Sequence, residues 1–161
     1  VRLELLKLGH LPRVSIGGPT PNYVVVLGES QFCLCPKGAS SYTSRVFEAL
    51  FAGCVPVLLS DEMRMPFDTV VDWSKFSIRW PMAKANMELY EYLRGLPVSR
   101  PDYVLSLQRE VAHVRCWFDY FGVEADPMEC SPYLALLRGL ASRTAAMPQP
   151  PPPFAELAEG G

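Results

Sequence analysis

The stretch from Phe32 to Leu59 limits most sharply what this chain can fold into. Phe32-Cys33-Leu34-Cys35 is short, apolar and bounded by Pro36 and Gly38, the pattern of a buried strand. Gly38 to Tyr42 is a loop of small and hydroxylic residues, after which Thr43 or Ser44 can act as N-cap of a helix. Gly53 stops that helix where a left-handed residue is wanted, and Cys54 to Leu59 is a second apolar run. A strand, a helix and a strand this close together form a βαβ unit. Its strands, about Cys33–Cys35 and Val55–Leu59, should therefore be parallel, central and buried on both faces of an α/β domain.

The helix between them, about Ser44 to Ala52, is apolar on nearly all sides: Val46, Phe47, Ala49, Leu50, Phe51 and Ala52 predict cover all round. Ala49, Ala52 and Gly53 are small enough to let it sit close to the sheet. Arg45 and Glu48 interrupt the pattern near the N-terminal end. A helix N-terminus at the carboxyl edge of a parallel sheet is where phosphates are commonly held, because free N–H groups and the positive dipole end face the ligand. Arg45 and Lys37 can add full charges. Glu48 lies four residues after Ser44, one too many for a capping box, which leaves its carboxylate to accept from sugar hydroxyls. The plainer alternative is a surface Arg45–Glu48 ion pair contributing about 0.2–0.5 kcal/mol. Spacing alone leaves both open.

SQFCLCPKG, TSRVFEALFAGCVPVLLSD and MPFDTVVDWSKFSI follow one another between about Tyr23 and Phe121. In this order and spacing they resemble the exostosin-like glycosyltransferase family. The resemblance implies a Rossmann-like parallel sheet flanked by helices, the C-terminal, nucleotide-sugar-binding half of a GT-B fold. It implies donor contacts at Lys37, Gly38, Thr43, Ser44, Arg45 and Glu48, with a further crevice contact open to Asp61. It also implies inverting transfer to a glycan or polysaccharide, no cofactor or metal, and a parent enzyme in the Golgi membrane facing the lumen. The family usually has Ser two residues before the Arg, where Thr43 keeps the hydroxyl. It often has an acidic residue just after the glycine, where this chain has Ala39-Ser40-Ser41, a departure that bears on the loop's contacts and on the donor sugar.

Composition narrows the partners. A net charge of −2 gives no basic footprint for nucleic acid. The longest apolar runs are too short to span a bilayer, and no basic stretch leads into an apolar one as in a signal peptide. A start at Val1 rather than Met reads as a fragment. Of the five cysteines, Cys33, Cys35 and Cys54 are expected as buried thiols, and Cys116 can pair with Cys130 if the chain matures in an oxidising compartment. No cysteine or histidine spacing suggests a metal site.

Residues 1–22 read as a connecting segment, 23–125 as the donor-binding domain, 126–147 as an extension and 148–161 as a proline-rich disordered tail. Val24-Val25-Val26 favours a strand by propensity, while the resemblance implies a short helix there, which is the reading adopted. Asp61 is expected in a turn. Phe76, Ile78 and Trp80 alternate as a half-buried strand does, and Trp73 is assigned to the core. Ala85, Leu89, Tyr92, Leu93 and Leu96 predict a helix ending near Gly95. Ser99, Pro101 and Asp102 mark the next start. Val104, Leu107, Val111, Val114, Phe118 and Phe121 form a helical stripe up to Gly122, with His113 on its exposed side, and 132–140 can add a short helix.

The leading function is therefore donor binding within a glycosyltransferase. No residue of the chain is assigned as the catalytic base, which is expected from a facing N-terminal half. A non-catalytic binding or scaffold domain of the same fold is the alternative. A flavodoxin-like or receiver domain would want acidic residues at the ends of its early strands, and Cys35-Pro36-Lys37 does not supply them.

Overall fold

The computed structural model describes residues 1–16, 21–38, 43–122 and 129–145. The chain enters through two short helices, α1 (Arg2–Leu6) and α2 (Tyr23–Glu29), and then forms β1 (Phe32–Pro36), α3 (Arg45–Ala52) and β2 (Val55–Leu59). After an irregular segment come β3 (Ile78–Arg79), α4 (Met87–Ser99), α5 (Pro101–Val114) and α6 (Pro132–Ala145). The strands lie in the order β1-β2-β3, all parallel, with Leu34 opposite Val57 and Val57 opposite Ile78. The α/β arrangement and the parallel βαβ unit are as expected, but only β2 is central. Among the described residues β1 is an edge strand, with Cys33 and Cys35 buried and Phe32, Leu34 and Pro36 half-buried, not a strand buried on both faces.

β2 is buried along its whole length, as its unbroken apolar run requires. Both α3 and α5 pack against it. Gly53 closes α3 at φ 79°, a left-handed conformation that a side chain would strain, and the amides of Gly53 and Cys54 turn back to Leu50 and Ala49. Cover on α3 is one-sided rather than complete. Val46, Ala49 and Leu50 are buried, Phe47 is half-buried against Phe118, and Phe51 is 44% exposed. Below it Phe118 stacks on Phe67 with centroids 5.8 Å apart and meets Trp73 at a tilt at 5.3 Å. Trp73 is a core residue, 7% exposed, its indole N–H given to the Pro66 carbonyl at 2.9 Å.

Several expectations are corrected. The third strand is only Ile78–Arg79, because Trp73–Lys75 forms a turn of 3-10 helix and the Ser77 hydroxyl donates back to the Trp73 carbonyl at 2.6 Å. The helix over Leu89 runs through Gly95 and Pro97 to Ser99. Leu96, buried at 3% exposure, makes the extra turn worthwhile, and Arg100 rather than Ser99 precedes α5. The α5 stripe stops at Val114. Arg115–Trp117 tightens to 3-10 geometry, which still buries Phe118 but turns Phe121 out to 94% exposure. His113 is exposed, as expected.

Cys33 is not a free thiol. It is bonded to Cys54, because the register sets Cys33 opposite Pro56 and brings the two Cα atoms within 5.8 Å. Cys116 pairs with Cys130, and Cys35 alone is free. The loop at 39–42 and the proline-rich tail lie outside the described residues.

Candidate functional site

At the carboxyl edge of the sheet, Lys37 follows β1 and its amide donates to the Leu59 carbonyl at 3.2 Å. Ser60 and Asp61 follow β2. Together with Glu62 and Met82 these residues line a recess of about 60 Å³. Asp61 accepts from the Met82 amide at 3.2 Å, a contact between residues 21 apart in sequence rather than a local turn. Gly38 is half-buried next to Lys37.

The start of α3 is arranged differently from a simple cap. Thr43 Oγ1 accepts from the Arg45 amide at 3.4 Å, and Ser44, although it occupies the N-cap position, makes no side-chain cap. Its hydroxyl instead donates to Glu48 Oε1 at 3.2 Å, a contact that the capping-box spacing gave no reason to expect. The Tyr23 hydroxyl, from the first turn of α2, donates to Glu48 Oε2 at 2.5 Å. The same ring lies under the Arg45 guanidinium, 5.2 Å from its centroid. Among the described residues, ion pairs join Lys7 to Glu4 and Lys84 to Glu88. None joins Arg45 to Glu48, so the surface-pair alternative is not what forms.

This arrangement has a clear electrostatic sense. A carboxylate has about four acceptor sites, and two protein hydroxyls leave room for further donors. The Tyr23 phenol is pushed up to about 12, chiefly by burial and then by its bond to Glu48, while Arg45 pulls the other way. It therefore stays a neutral donor. Cys35 lies fully buried in the same electrostatic neighbourhood. Burial pushes its thiol up to about 12 against the opposing pull of Arg45, and Sγ donates to the Cys33 carbonyl at 3.4 Å. Such a thiol is a packing group rather than a nucleophile.

The structure thus brings Thr43, Ser44, Arg45 and Glu48 together at one helix end and sets Lys37 with Asp61 in the neighbouring recess. Tyr23 was missed, because no local spacing links it to positions so far along the chain. Equally unsignalled is a groove of about 850 Å³ bordered by Arg64, Asp68, Asp72, Arg79, Tyr92 and Tyr103. Arg79 ties its wall to the end of β2 through the carbonyls of Ser60 and Met63, at 3.2 and 3.1 Å. Among the described residues, no three His, Cys, Asp or Glu side chains are placed to hold a metal ion. Among the described residues, no helix is long and apolar enough to cross a membrane.

Comparison with known proteins gives this geometry a context. The Exostosin GT47 domain matches residues 9–96, more than half of the chain. Exostosin-1 of Drosophila melanogaster is 36% identical over 101 residues, 63% of this chain and 12% of the relative. The probable arabinosyltransferase ARAD1 of Arabidopsis thaliana is 37% identical over 94 residues, 56% of this chain and 20% of the relative. Exostosin-like 1 of Mus musculus is 38% identical over 105 residues, 65% of this chain and 15% of the relative. The chain spans a fifth or less of the length of these proteins.

Proposed function

Because this chain belongs to the exostosin GT47 family, we propose that it is the donor-binding part of a glycosyltransferase. Arg45, Lys37 and the N-terminus of α3 hold the diphosphate of a nucleotide sugar, and Glu48 accepts hydrogen bonds from the ribose. The observation that carries this reading is the state of Arg45 and Glu48. They share the first turn of a helix at the carboxyl edge of a parallel sheet, yet they are not paired with each other. A phosphate-binding cation and a sugar-binding carboxylate have to be kept apart in this way.

Transfer requires an acceptor hydroxyl to attack the anomeric carbon while the nucleoside diphosphate leaves. The charge that develops on the leaving phosphate is stabilised by donors already in place. In this reading those donors are side chains and backbone amides, not a metal ion. The domain is the C-terminal half of a GT-B enzyme, and the facing half supplies the base and most of the acceptor surface. The parallel, helix-flanked sheet supports that architecture. The acceptor in this reading is a glycan or polysaccharide, and because the relatives are named for different transferred sugars the donor sugar stays open. Two disulfides support maturation in an oxidising lumen, and for an exostosin relative that is the Golgi.

The test is nucleotide binding by ligand-observed NMR with UDP, GDP and inorganic pyrophosphate. Arg45→Ala should remove a charge-assisted contact worth roughly 1.5–3 kcal/mol and weaken all three. Glu48→Gln should weaken UDP and GDP and spare pyrophosphate. Equal signals from wild type and both variants would rule the donor site out.

A further inference from the structure

We infer that Tyr23 is the positioning residue of this site, keeping Arg45 and Glu48 apart so that each meets its own part of the donor. The inference rests on the donor reading above and goes beyond it, because Tyr23 is contributed by a different helix and touches neither charge by chance of sequence.

Arg45 and Glu48 are three residues apart on one helix, a spacing at which opposite charges readily meet on an exposed surface. Both are exposed, and still they do not meet. The half-buried Tyr23 stands in the way with two different contacts. The π-face of its ring takes the guanidinium at 5.2 Å, and its hydroxyl takes Glu48 Oε2. With Ser44 on Oε1, both oxygens of the carboxylate are held and its plane is fixed. α2 packs on α3, and Leu27, one turn after Tyr23 on the same face, is buried, so the tyrosine is anchored rather than loose. The arrangement is pre-organised: neither charge has to break an ion pair before the ligand binds. The phenol is protonated throughout the neutral range at its ordinary value of 10.0, and burial with the bond to Glu48 keeps it a donor up to about 12.

The ring and the hydroxyl can be removed separately. Tyr23→Phe keeps the support under Arg45 and deletes the bond to Glu48. It should raise the Kd for UDP about tenfold, the equivalent of one lost hydrogen bond, and leave pyrophosphate within about twofold. Tyr23→Leu removes both contacts and lets Arg45 close onto Glu48, so pyrophosphate should also weaken about tenfold. Adding Glu48→Gln to Tyr23→Leu removes the competing anion and should restore pyrophosphate binding. A tyrosine that merely packs α2 onto α3 would show neither the split between the two ligands nor the rescue.

If wild type binds UDP and Tyr23→Phe binds it equally well, the inference fails and the donor reading survives. Failure of the rescue in a folded double variant overturns the separation of charges. If wild type binds neither ligand, the donor reading fails and takes this inference with it. Should Tyr23→Leu not fold, the Tyr23→Phe split between UDP and pyrophosphate decides alone.

Discussion

The Cys33–Cys54 disulfide encloses β1 from Cys33 onward, the following loop and the whole of α3, and hence every residue from Lys37 to Glu48 assigned to the donor. Replacing both cysteines by alanine opens that ring. With a separation of 21 residues, the loop-closure entropy restored to the unfolded chain amounts to about 3 kcal/mol at 25 °C. For a domain of this size that corresponds to a fall in Tm of about 10 °C. Both sulfurs are buried, at 4% and 0% exposure, so the space left behind adds to the loss. The Cys116–Cys130 pair is the control. Its separation of 14 gives a similar figure, about 3 kcal/mol, but it joins the segment after α5 to the segment before α6 and encloses none of the residues from Lys37 to Glu48. The two double-alanine variants should therefore lose comparable stability in non-reducing thermal unfolding. Only the Cys33/Cys54 variant should also lose UDP affinity at a temperature where both remain folded. Thiol counting in denaturant fixes the premise: one reactive thiol without reductant and five with it. Five without reductant, or an unchanged Tm in the Cys33/Cys54 variant, would refute the reasoning.

Phe118→Ala should cost about 3–5 kcal/mol, because Phe118 meets Phe47, Phe67 and Trp73. Phe121→Ser, at a position 94% exposed, should shift urea unfolding by no more than about 0.5 kcal/mol. Cys35 should resist iodoacetamide at neutral pH in the folded chain and react once the chain is denatured. The thiol is both inaccessible and held protonated, and rapid labelling of native protein would contradict this. The sign of its pH dependence follows. Its folded value of about 12 lies above the ordinary 9.0, so its contribution to stability is complete below pH 9 and disappears as pH rises through 12. Tyr23 acts in the same direction between 10 and about 12. Unfolding followed against pH should accordingly show stability falling, not rising, on the alkaline side.

What could be read in the chain follows from how far each interaction reaches. The βαβ unit was legible because its signals are local: an apolar run, a glycine at a left-handed stop, a second apolar run. Gly53 sits at φ 79° where the helix pattern required it. Gly95 carries the same letter without the same meaning, because a Cβ there would meet nothing, and burial of Leu96 outweighs a glycine cost of about 1 kcal/mol. At α2 the valines favour a strand, yet Val24 and Val25 end up 75% and 56% exposed on a helix. The face formed by Tyr23 and Leu27 decides the matter by packing on α3, and propensity yields to burial. The Phe121 error has a similar source. Periodicity records which side chains could share a face, but the backbone leaves α-helical geometry after Val114 and the face turns with it. The site divides along the same line. Lys37, Thr43, Ser44, Arg45 and Glu48 are visible because they cluster in sequence. Their state depends on partners chosen by the tertiary fold: strand register joins Cys33 to Cys54, and helix packing brings Tyr23 between Arg45 and Glu48. Sequence names the charges at such a site, and a residue 25 positions away determines whether they neutralise each other or remain available to a ligand.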